Sequence, residues 1–184
     1  QVTPKIIAGP CSAESREQVL STAKQLASGR IDFFRSGIWK PRTRPGAFEG
    51  AGNVALDWML EARDKFGLKI CTEVANPEHV EAVLKKGFDM VWVGARSTAN
   101  PFTVQEISES LKGVDIPVMI KNPTNPDLKL WIGAVERFQN NGIRDISVIH
   151  RGFSVYEKAR SRNNPTWQIA LDLKKELPNM PLLC

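Results

Sequence analysis

Short apolar runs alternate with longer amphipathic segments along this 184-residue chain. The short runs predict β-strands, because each is only a few residues long and is bounded by glycine, proline or charged residues. In chain order, the predicted strands are Lys5–Gly9, Phe33–Ser36, Lys69–Val74, Met90–Arg96, Pro117–Lys121 and Ile146–Arg151. Pro181–Cys184 has the pattern of the opening of a seventh strand. Alternation with helices indicates parallel strands, since a parallel pair needs a long crossover connection.

The segments between the strands have apolar residues at helical spacing, as in Val80, Val83 and Leu84. Four asparagine–proline pairs predict helix starts, with the asparagine as the cap and the proline at the first helical position. These pairs are Asn76-Pro77, Asn100-Pro101, Asn125-Pro126 and Asn164-Pro165. Ser15 and Gln18 match a capping box for the first helix.

The predicted fold class is α/β, a (β/α)8 TIM barrel that the chain follows through six strand–helix units and the start of the seventh strand. A barrel of eight units typically takes ~250 residues, so an open parallel sheet is the alternative. The barrel is favoured because a polar or reactive side chain stands at the end of each predicted strand. These side chains are Cys11, Arg35, Glu73, Arg96, Lys121 and Arg151. We expect residues 1–184 to form a single, incomplete barrel domain.

Alternation within the strands supports a common face for these side chains. Cys71 and Glu73 share one face of the third strand, and the same count places Met119 with Lys121. A single arginine or lysine is more often part of an exposed ion pair. The whole set at matched strand ends instead indicates an anion-binding site, because the carboxyl ends of the strands form the active face of such a barrel.

Composition narrows the possible functions. The chain is 42% hydrophobic and 24% charged, which is typical of a globular domain with one sizeable core. Its net charge of +5 is spread along the chain rather than clustered, so nucleic acid is disfavoured as a partner. We expect no membrane span and no secretory leader, and therefore a cytoplasmic protein. The three cysteines argue against a disulfide framework.

The most informative stretch runs from Arg35 to Thr43 and follows a predicted strand. It contains three cations, Arg35, Lys40 and Arg42, together with the hydroxyls of Ser36 and Thr43. Arginine binds carboxylate or phosphate through a planar fork and lysine acts as a point charge, so the set suits a small molecule carrying both groups. Considered alone, the stretch would be interpreted as a solvated basic loop.

The histidines, two tryptophans and a second cysteine are assigned structural rather than functional roles. We expect His79 to be exposed and His150 to face the helices, because the parity of His150 is opposite to that of Arg151. Packing accounts for Cys71, Trp58 and Trp131. Two roles are left open for Cys11, packing and metal binding. A lone cysteine near a strand is more often a small buried hydrophobe than a ligand.

Several blocks resemble, in order, those of the 3-deoxy-7-phosphoheptulonate (DAHP) synthases, specifically the short single-barrel type I variety. The Lys40-Pro41-Arg42-Thr43 block with an arginine five positions earlier is the most specific. The others are Gly9-Pro10-Cys11-Ser12, Ala47-Phe48-Glu49-Gly50, Thr72-Glu73-Val74, Gly94-Ala95-Arg96, Lys121-Asn122 and Arg151-Gly152. The resemblance implies condensation of phosphoenolpyruvate with erythrose 4-phosphate, the first step of the shikimate pathway to the aromatic amino acids.

The resemblance also implies roles for individual residues. Arg35 and the catalytic Lys40 would hold the carboxylate region of phosphoenolpyruvate, and the catalytic Glu73 would order a water. The phosphate of phosphoenolpyruvate would be bound by Ala95, Arg96, Lys121 and Arg151, and that of erythrose 4-phosphate by Pro41, Arg42 and Thr43. Cys11 would be a ligand of a divalent metal, which could be Mn, Fe, Zn or Co.

The chain departs from the family pattern in two respects. The family's other metal ligands, a histidine, a glutamate and an aspartate, lie on the seventh and eighth strands, and Cys184 precedes them. His150 stands where many relatives have a glutamate. Two alternatives are kept, a 3-deoxy-octulosonate 8-phosphate synthase-like enzyme and a non-catalytic anion-binding partial barrel. The expected partners are the two small substrates and further copies of the chain, with fusion to or association with chorismate mutase left open.

Overall fold

The computed structural model describes residues 4–40, 42, 44–156 and 163–184. Within these residues, strands and helices alternate along the chain as the hydrophobic pattern predicts, except that two consecutive helices follow the fourth strand. The strands are β1 (Ile7–Ala8), β2 (Phe33–Arg35), β3 (Ile70–Val74), β4 (Met90–Val93), β5 (Val118–Lys121), β6 (Ile146–Ile149) and β7 (Leu182–Leu183). The helices are α1 (Arg16–Ala27), α2 (Val54–Phe66), α3 (Pro77–Lys85), α4 (Ala95–Thr98), α5 (Pro101–Ser110), α6 (Leu128–Asn140) and α7 (Trp167–Glu176).

The chain divides into two compact units. The first comprises Gln1–Glu73 and Ala82–Met90, and the second comprises Val74–Glu81 and Val91–Cys184. The prediction of a single domain over residues 1–184 stays a prediction.

In the first unit, β2 pairs in parallel with both β1 and β3. The register aligns Ile7 with Phe33 and Arg35 with Cys71. Helices α1 and α2 bury their apolar faces, since Val19, Ala23, Leu56 and Met59 are at most 2% exposed. Burial of such side chains is the main contribution to the stability of the unit.

In the second unit, β5 pairs in parallel with β4 and β6, and β6 pairs in parallel with β7. The core includes Trp131, which is fully buried and donates its indole N–H to the carbonyl of Ile120 over 3.3 Å. The prediction that Trp131 is a core residue is confirmed, whereas Trp58, on α2 of the first unit, is only half-buried. None of the described helices combines the length and the apolar character needed to cross a bilayer.

Two of the four predicted asparagine caps are confirmed. Asn76 accepts a hydrogen bond from the His79 amide over 2.8 Å, and Asn100 accepts from the Phe102 amide over 3.0 Å. The Ser15 cap is also confirmed, with the Gln18 amide donating to the serine Oγ over 3.1 Å. The side chain at each of these positions satisfies amides that the first turn of a helix leaves without partners.

The predicted caps at Asn125 and Asn164 are wrong. Helix α6 is capped by Asp127, whose carboxylate accepts from the Leu130 amide over 2.9 Å. Asn164 instead pairs its backbone with Phe153 in an antiparallel bridge, and its side chain accepts from the Thr166 amide. Thr166 then precedes α7 with a φ of 37°. The side-chain oxygen of Asn164 thus accepts a hydrogen bond within a local turn, and such local bonds compete with helix capping.

Several strands are shorter than the apolar runs predict. Strand β4 ends at Val93, and Gly94 begins a helical turn, so Arg96 lies on α4 rather than on a strand. Strand β6 ends at Ile149, which places Arg151 in the following loop. The start of a seventh strand is confirmed by the pairing of Leu182 with Val148.

Candidate active site

Arg35, Lys40 and Cys11 come together in the first unit, where β1 and β2 end. The Arg35 guanidinium donates to the carbonyl of Pro10 over 3.2 Å. The Lys40 ammonium donates to the carbonyl of Cys11 over 3.0 Å and lies 3.6 Å from the cysteine Sγ. Gly9 allows the chain before Cys11 to pass close to the Arg35 backbone, because a Cβ at Gly9 would lie 1.9 Å from the Arg35 carbonyl oxygen.

The environment of Cys11 favours the thiolate. Partial burial by itself raises the pKa of this thiol, but the charges of Lys40 and Arg35 more than offset that effect, so the pKa lies below its ordinary value. The side chain is exposed, so Cys11 is not the small buried hydrophobe that a lone cysteine usually is. A thiolate next to two cations is suited to a metal ion or to anion chemistry.

Lys40 and Arg42 each donate a hydrogen bond to a backbone carbonyl of the segment 48–49. The Lys40 amide donates to the carbonyl of Glu49 over 2.7 Å, and the Arg42 Nε donates to the carbonyl of Phe48 over 2.6 Å. Arg42 is exposed. The predicted site residues Pro41 and Thr43 lie outside the described residues.

Glu73 lies at the end of β3 and is 9% exposed. The register of β2 with β3 aligns Arg35 with Cys71, and Glu73 is two residues further along the strand. Since side chains alternate between the two faces of a sheet, Arg35 and Glu73 point to the same face. The sequence prediction that Cys71 and Glu73 share a face therefore extends to Arg35. Cys71 itself is fully buried, in agreement with its assignment to packing.

In the second unit, Lys121 lies on the same face of the sheet as Trp92. The register aligns Trp92 with Met119, and Lys121 is two residues beyond Met119. The Lys121 ammonium is 5.1 Å from the centroid of the Trp92 ring, and Trp92 is 1% exposed. A partly buried ammonium over an indole face is held by a cation–π interaction, which restricts where the charge can lie.

Arg151 is held from two sides by asparagine side chains. Its amide donates to the Oδ1 of Asn122 over 2.7 Å, and its guanidinium donates to the Oδ1 of Asn163 over 2.6 Å. Asn122 directly follows Lys121 at the end of β5 and is fully buried. One asparagine therefore connects the chain positions that carry the Lys121 and Arg151 cations.

The remaining predicted residues of the second unit lie on α4. Ala95 is half-buried at the first position of this helix, and Arg96 follows it with an exposed side chain.

The two histidine rings have local partners of their own. His150 is 5% exposed, its Nε2 lies 2.6 Å from the Pro165 carbonyl oxygen, and its ring centroid is 4.5 Å from that of Trp167 on α7. The prediction that His150 faces the helices is confirmed. The prediction that His79 is exposed is wrong, because its ring is half-buried and its Nδ1 accepts from the Ala75 amide over 3.2 Å.

Cys11 is the residue that the resemblance assigns to a divalent metal. A thiol with a lowered pKa is chemically suited to that role, because the thiolate is the ligand. Across the part of the chain that the structure describes, no three or more His, Cys, Asp or Glu side chains are grouped to hold a metal ion. The described residues thus do not form a three-ligand metal site around Cys11.

The sequence interpretation missed the roles of Trp92, Asn122 and Asn163 around the cations. Trp92 falls within a continuous apolar run, so nothing in the pattern separates it from the core residues on either side. The role of Asn122 could have been suspected from the sequence. An asparagine directly after a strand and next to a lysine needs hydrogen-bond partners if it is buried. Asn163 lies 12 residues from Arg151, and no spacing rule connects the two.

Comparison with known proteins identifies the family. The model of the DAHP synthetase I family matches residues 3–183. The chain belongs to this family. The resemblance drawn from the sequence blocks is therefore confirmed.

Individual relatives agree with the family match. A phospho-2-dehydro-3-deoxyheptonate aldolase of Thermotoga maritima is 32% identical over 178 residues, which are 97% of this chain and 51% of the relative. The crystal structure of DAHP synthase from the same organism superposes with a TM-score of 0.79 and 29% identity, covering 93% of this chain and 48% of that one. The α/β barrel-type fold class is thereby confirmed, and the chain spans about half the length of these relatives.

A second group of relatives matches over a smaller part of the chain. A 2-dehydro-3-deoxyphosphooctonate aldolase of Bordetella petrii is 32% identical over 118 residues, which are 60% of this chain and 41% of the relative. The heptonate relative therefore covers far more of the chain at the same identity.

Proposed function

We propose that the protein containing this chain condenses phosphoenolpyruvate with erythrose 4-phosphate to give 3-deoxy-7-phosphoheptulonate and inorganic phosphate, the first step of the shikimate pathway. The observation that carries this proposal is the family match over residues 3–183. The cations of the family blocks lie at strand ends, on α4 and in loops: Arg35 and Lys121 end strands, Arg96 is on α4, and Lys40, Arg42 and Arg151 are in loops. A phosphorylated enol acid and a phosphorylated aldehyde are both anionic, so a site that binds them needs several cations.

The reaction makes one carbon–carbon bond, makes one carbon–oxygen bond from water and breaks the carbon–oxygen bond to phosphate. The enol carbon of phosphoenolpyruvate attacks the aldehyde carbon, and the aldehyde oxygen takes up a proton and becomes a hydroxyl group. Water adds to the carbon that carries the phosphate, and loss of inorganic phosphate leaves the keto group. The surrounding cations stabilise the charge that develops on oxygen during these steps.

In this proposal, Arg35 and Lys40 bind the carboxylate region of phosphoenolpyruvate, and Lys40 is the catalytic cation. Both already donate hydrogen bonds to the chain around Cys11, so their charges are placed before substrate binds. Glu73, 9% exposed on the same face as Arg35, orders the attacking water. Preplaced groups of this kind lower the barrier because they need little reorganisation during the reaction.

The two phosphate groups are assigned to different residues. The phosphate of phosphoenolpyruvate is bound by Ala95, Arg96, Lys121 and Arg151. The phosphate of erythrose 4-phosphate is bound by Arg42 with Pro41 and Thr43. Arg42 is exposed, as expected for a residue that meets the second, separately entering substrate.

We also propose that the reaction depends on a divalent metal, Mn, Fe, Zn or Co, with Cys11 as one of its ligands. Such an ion would supply Lewis-acid polarisation of the aldehyde. The support is the exposed Cys11 thiol with its lowered pKa. Further proposals are a cytoplasmic location, assembly with other copies of the chain, and a fused or associated chorismate mutase; no nucleic acid or membrane takes part.

The test is a condensation assay on the intact gene product. Consumption of phosphoenolpyruvate that requires erythrose 4-phosphate, with release of inorganic phosphate, is the expected result. Dependence on a five-carbon aldose phosphate instead would favour the octulosonate-type reaction, which the relative from Bordetella petrii suggests. Binding of phosphoenolpyruvate without turnover under any metal would leave the non-catalytic anion-binding protein as the correct interpretation.

A further inference from the structure

We infer that Asn122 and Asn163 are positioning residues that set Arg151 for an anionic ligand, Asn122 by fixing its backbone and Asn163 by fixing its guanidinium. This inference rests on the proposed role of Arg151 in binding the phosphate of phosphoenolpyruvate. The two asparagines themselves need not touch the substrate.

Asn122 uses both ends of its amide in this arrangement. Its Oδ1 accepts from the Arg151 amide over 2.7 Å, and its Nδ2 donates to the carbonyls of Pro123 and Gly152, each over 2.8 Å. The reverse orientation would place the NH₂ group against an N–H and the oxygen against two carbonyls, so the contacts select one orientation. The side chain is 0% exposed, so water cannot reach it to replace a lost hydrogen-bond partner, and an unsatisfied group there would destabilise the protein.

These contacts extend the connection between β5 and β6 beyond the sheet. The last aligned pair is Lys121 with Ile149, and the Asn122 amide donates to the Ile149 carbonyl over 3.0 Å. The side chain of Asn122 then binds both the amide of Arg151 and the carbonyl of Gly152. The backbone at Arg151 is consequently held in a fixed position relative to the strand end that carries Lys121.

The guanidinium of Arg151 has its own support. Its Nη2 donates to the Asn163 Oδ1 over 2.6 Å, and its Nη1 donates to the Gly152 carbonyl over 3.3 Å. Gly152 has a φ of 78°, and a Cβ there would lie 2.8 Å from the Asn164 carbonyl oxygen and 3.1 Å from the Asn163 Cβ. Glycine at 152 therefore allows the segment carrying Asn163 to approach Arg151.

Holding a long side chain in place has a direct consequence for affinity. A free arginine loses rotamer entropy when it closes on a ligand, and that loss reduces the net binding free energy. The guanidinium contacts with Asn163 and Gly152 are made to neutral carbonyl oxygens, so these two contacts orient the Arg151 side chain without neutralising its charge. These contacts thus place the guanidinium fork in advance for an anionic ligand.

The test compares Asn122→Ala and Asn163→Ala with wild type in the intact gene product. We expect the Michaelis constant for phosphoenolpyruvate to rise about ten-fold in each, while that for erythrose 4-phosphate stays unchanged. Asn163→Ala guards against misfolding of the first variant, because Asn163 is only half-buried. A merely structural loss would lower the active fraction and leave both Michaelis constants in place.

Asn141→Ala is the matched control. The Asn141 side chain also joins two elements, donating to the Ser108 Oγ over 2.8 Å, but these elements are α5 and the end of α6. We expect this variant to lower the thermal midpoint without changing either Michaelis constant.

Placing both asparagine changes in an Arg151→Ala background completes the test. If the asparagines act through Arg151, their effects on the dissociation constant of phosphoenolpyruvate or inorganic phosphate should disappear there. Undiminished effects in that background, or unchanged affinities in the single variants, would overturn the inference. If wild type binds phosphate but catalyses no condensation, the proposed function fails, while the same binding cycle still decides the inference.

Discussion

At the scale of single residues, Lys121 offers the most direct test of the phosphate assignment. Its ammonium is held 5.1 Å from the Trp92 ring centroid, so its charge is placed in advance. Lys121→Ala should remove a charge-assisted contact worth about 1.5–3 kcal/mol, which is roughly a ten- to hundred-fold loss of affinity for phosphoenolpyruvate. Steady-state kinetics would measure the change. Lys129→Ala, on the exposed surface of α6, is the control, and an unchanged Michaelis constant and turnover in Lys121→Ala would exclude the assignment.

Arg42 tests how the two substrates divide the basic loop. Its Nε donates to the Phe48 carbonyl over 2.6 Å, which orients the guanidinium plane. Arg42→Lys keeps the charge but loses both this contact and the planar fork. We expect about a ten-fold rise in the Michaelis constant for erythrose 4-phosphate and little change for phosphoenolpyruvate. Equal weakening toward both substrates would show that Lys40 and Arg42 do not serve different phosphorylated ligands.

The pH dependence of Cys11 follows from its neighbours. Burial raises its pKa, and Lys40 and Arg35 more than offset this, so the thiolate persists to lower pH than in an ordinary thiol. In metal-free protein, the rate of Cys11 alkylation should therefore reach half its maximum below the pH typical of free cysteine. Lys40→Met removes one cation and should move that midpoint upward. Peptide mapping by mass spectrometry separates Cys11 from Cys71 and Cys184; a midpoint that does not respond to Lys40→Met would contradict the electrostatic cause.

At the scale of elements, the start of helix α6 has two candidate caps: Asp127, which the structure shows, and Asn125, which the sequence pattern predicts. Asp127→Ala should lower stability by about 1 kcal/mol, because the Leu130 amide loses its partner. For a chain of this length, that corresponds to a fall of about 2–4 °C in the thermal midpoint. Asn125→Ala, two residues earlier and exposed, should leave the midpoint unchanged. The reverse order of effects, measured by circular dichroism, would restore Asn125 as the cap.

Helix ends show where a local sequence pattern is sufficient to predict the capping residue. Ser15, Asn76 and Asn100 cap their helices as predicted, since each side chain reaches an amide only two or three residues ahead. At Asn164, the same type of side chain is used by a turn, because the backbone is paired with Phe153, 11 residues earlier in the chain. A local signal thus fails where a contact distant in sequence determines the backbone conformation.

At the scale of the whole molecule, we expect residues 1–184 expressed alone to bind phosphate or sulfate weakly but to hold no divalent metal stoichiometrically and to catalyse no condensation. The physical reason is that the residues described by the structure place no three-ligand group around Cys11, and one thiolate does not retain a divalent ion against water. Isothermal titration calorimetry with manganese and zinc would measure this. One tightly bound ion per chain, or measurable turnover, would show that the ligand assignment is wrong.

The periodicity of the chain was enough to determine the alternation of strands and helices, the parallel sense of the pairings in each unit, and the strand-end positions of Arg35, Glu73 and Lys121. The physical reason is that side-chain alternation and helical spacing are local properties, and parallel strands require crossovers whatever surrounds them. The blocks around Lys40 and Arg151 carry chemistry in their residue types, so the family was also recognisable from the amino-acid sequence alone.

The tertiary structure determined which of these side chains are fixed in position and which residues fix them. The lowered pKa of Cys11 needs Lys40 and Arg35 to approach it from a different strand end. The support of Arg151 needs Asn122 from the preceding strand and Asn163 from a later loop. Arg96 lies on a helical turn because β4 ends at Val93. Hydrogen bonds and charges act across space at a few ångströms, and residues 12 or 29 positions apart become partners only once the backbone has brought them together.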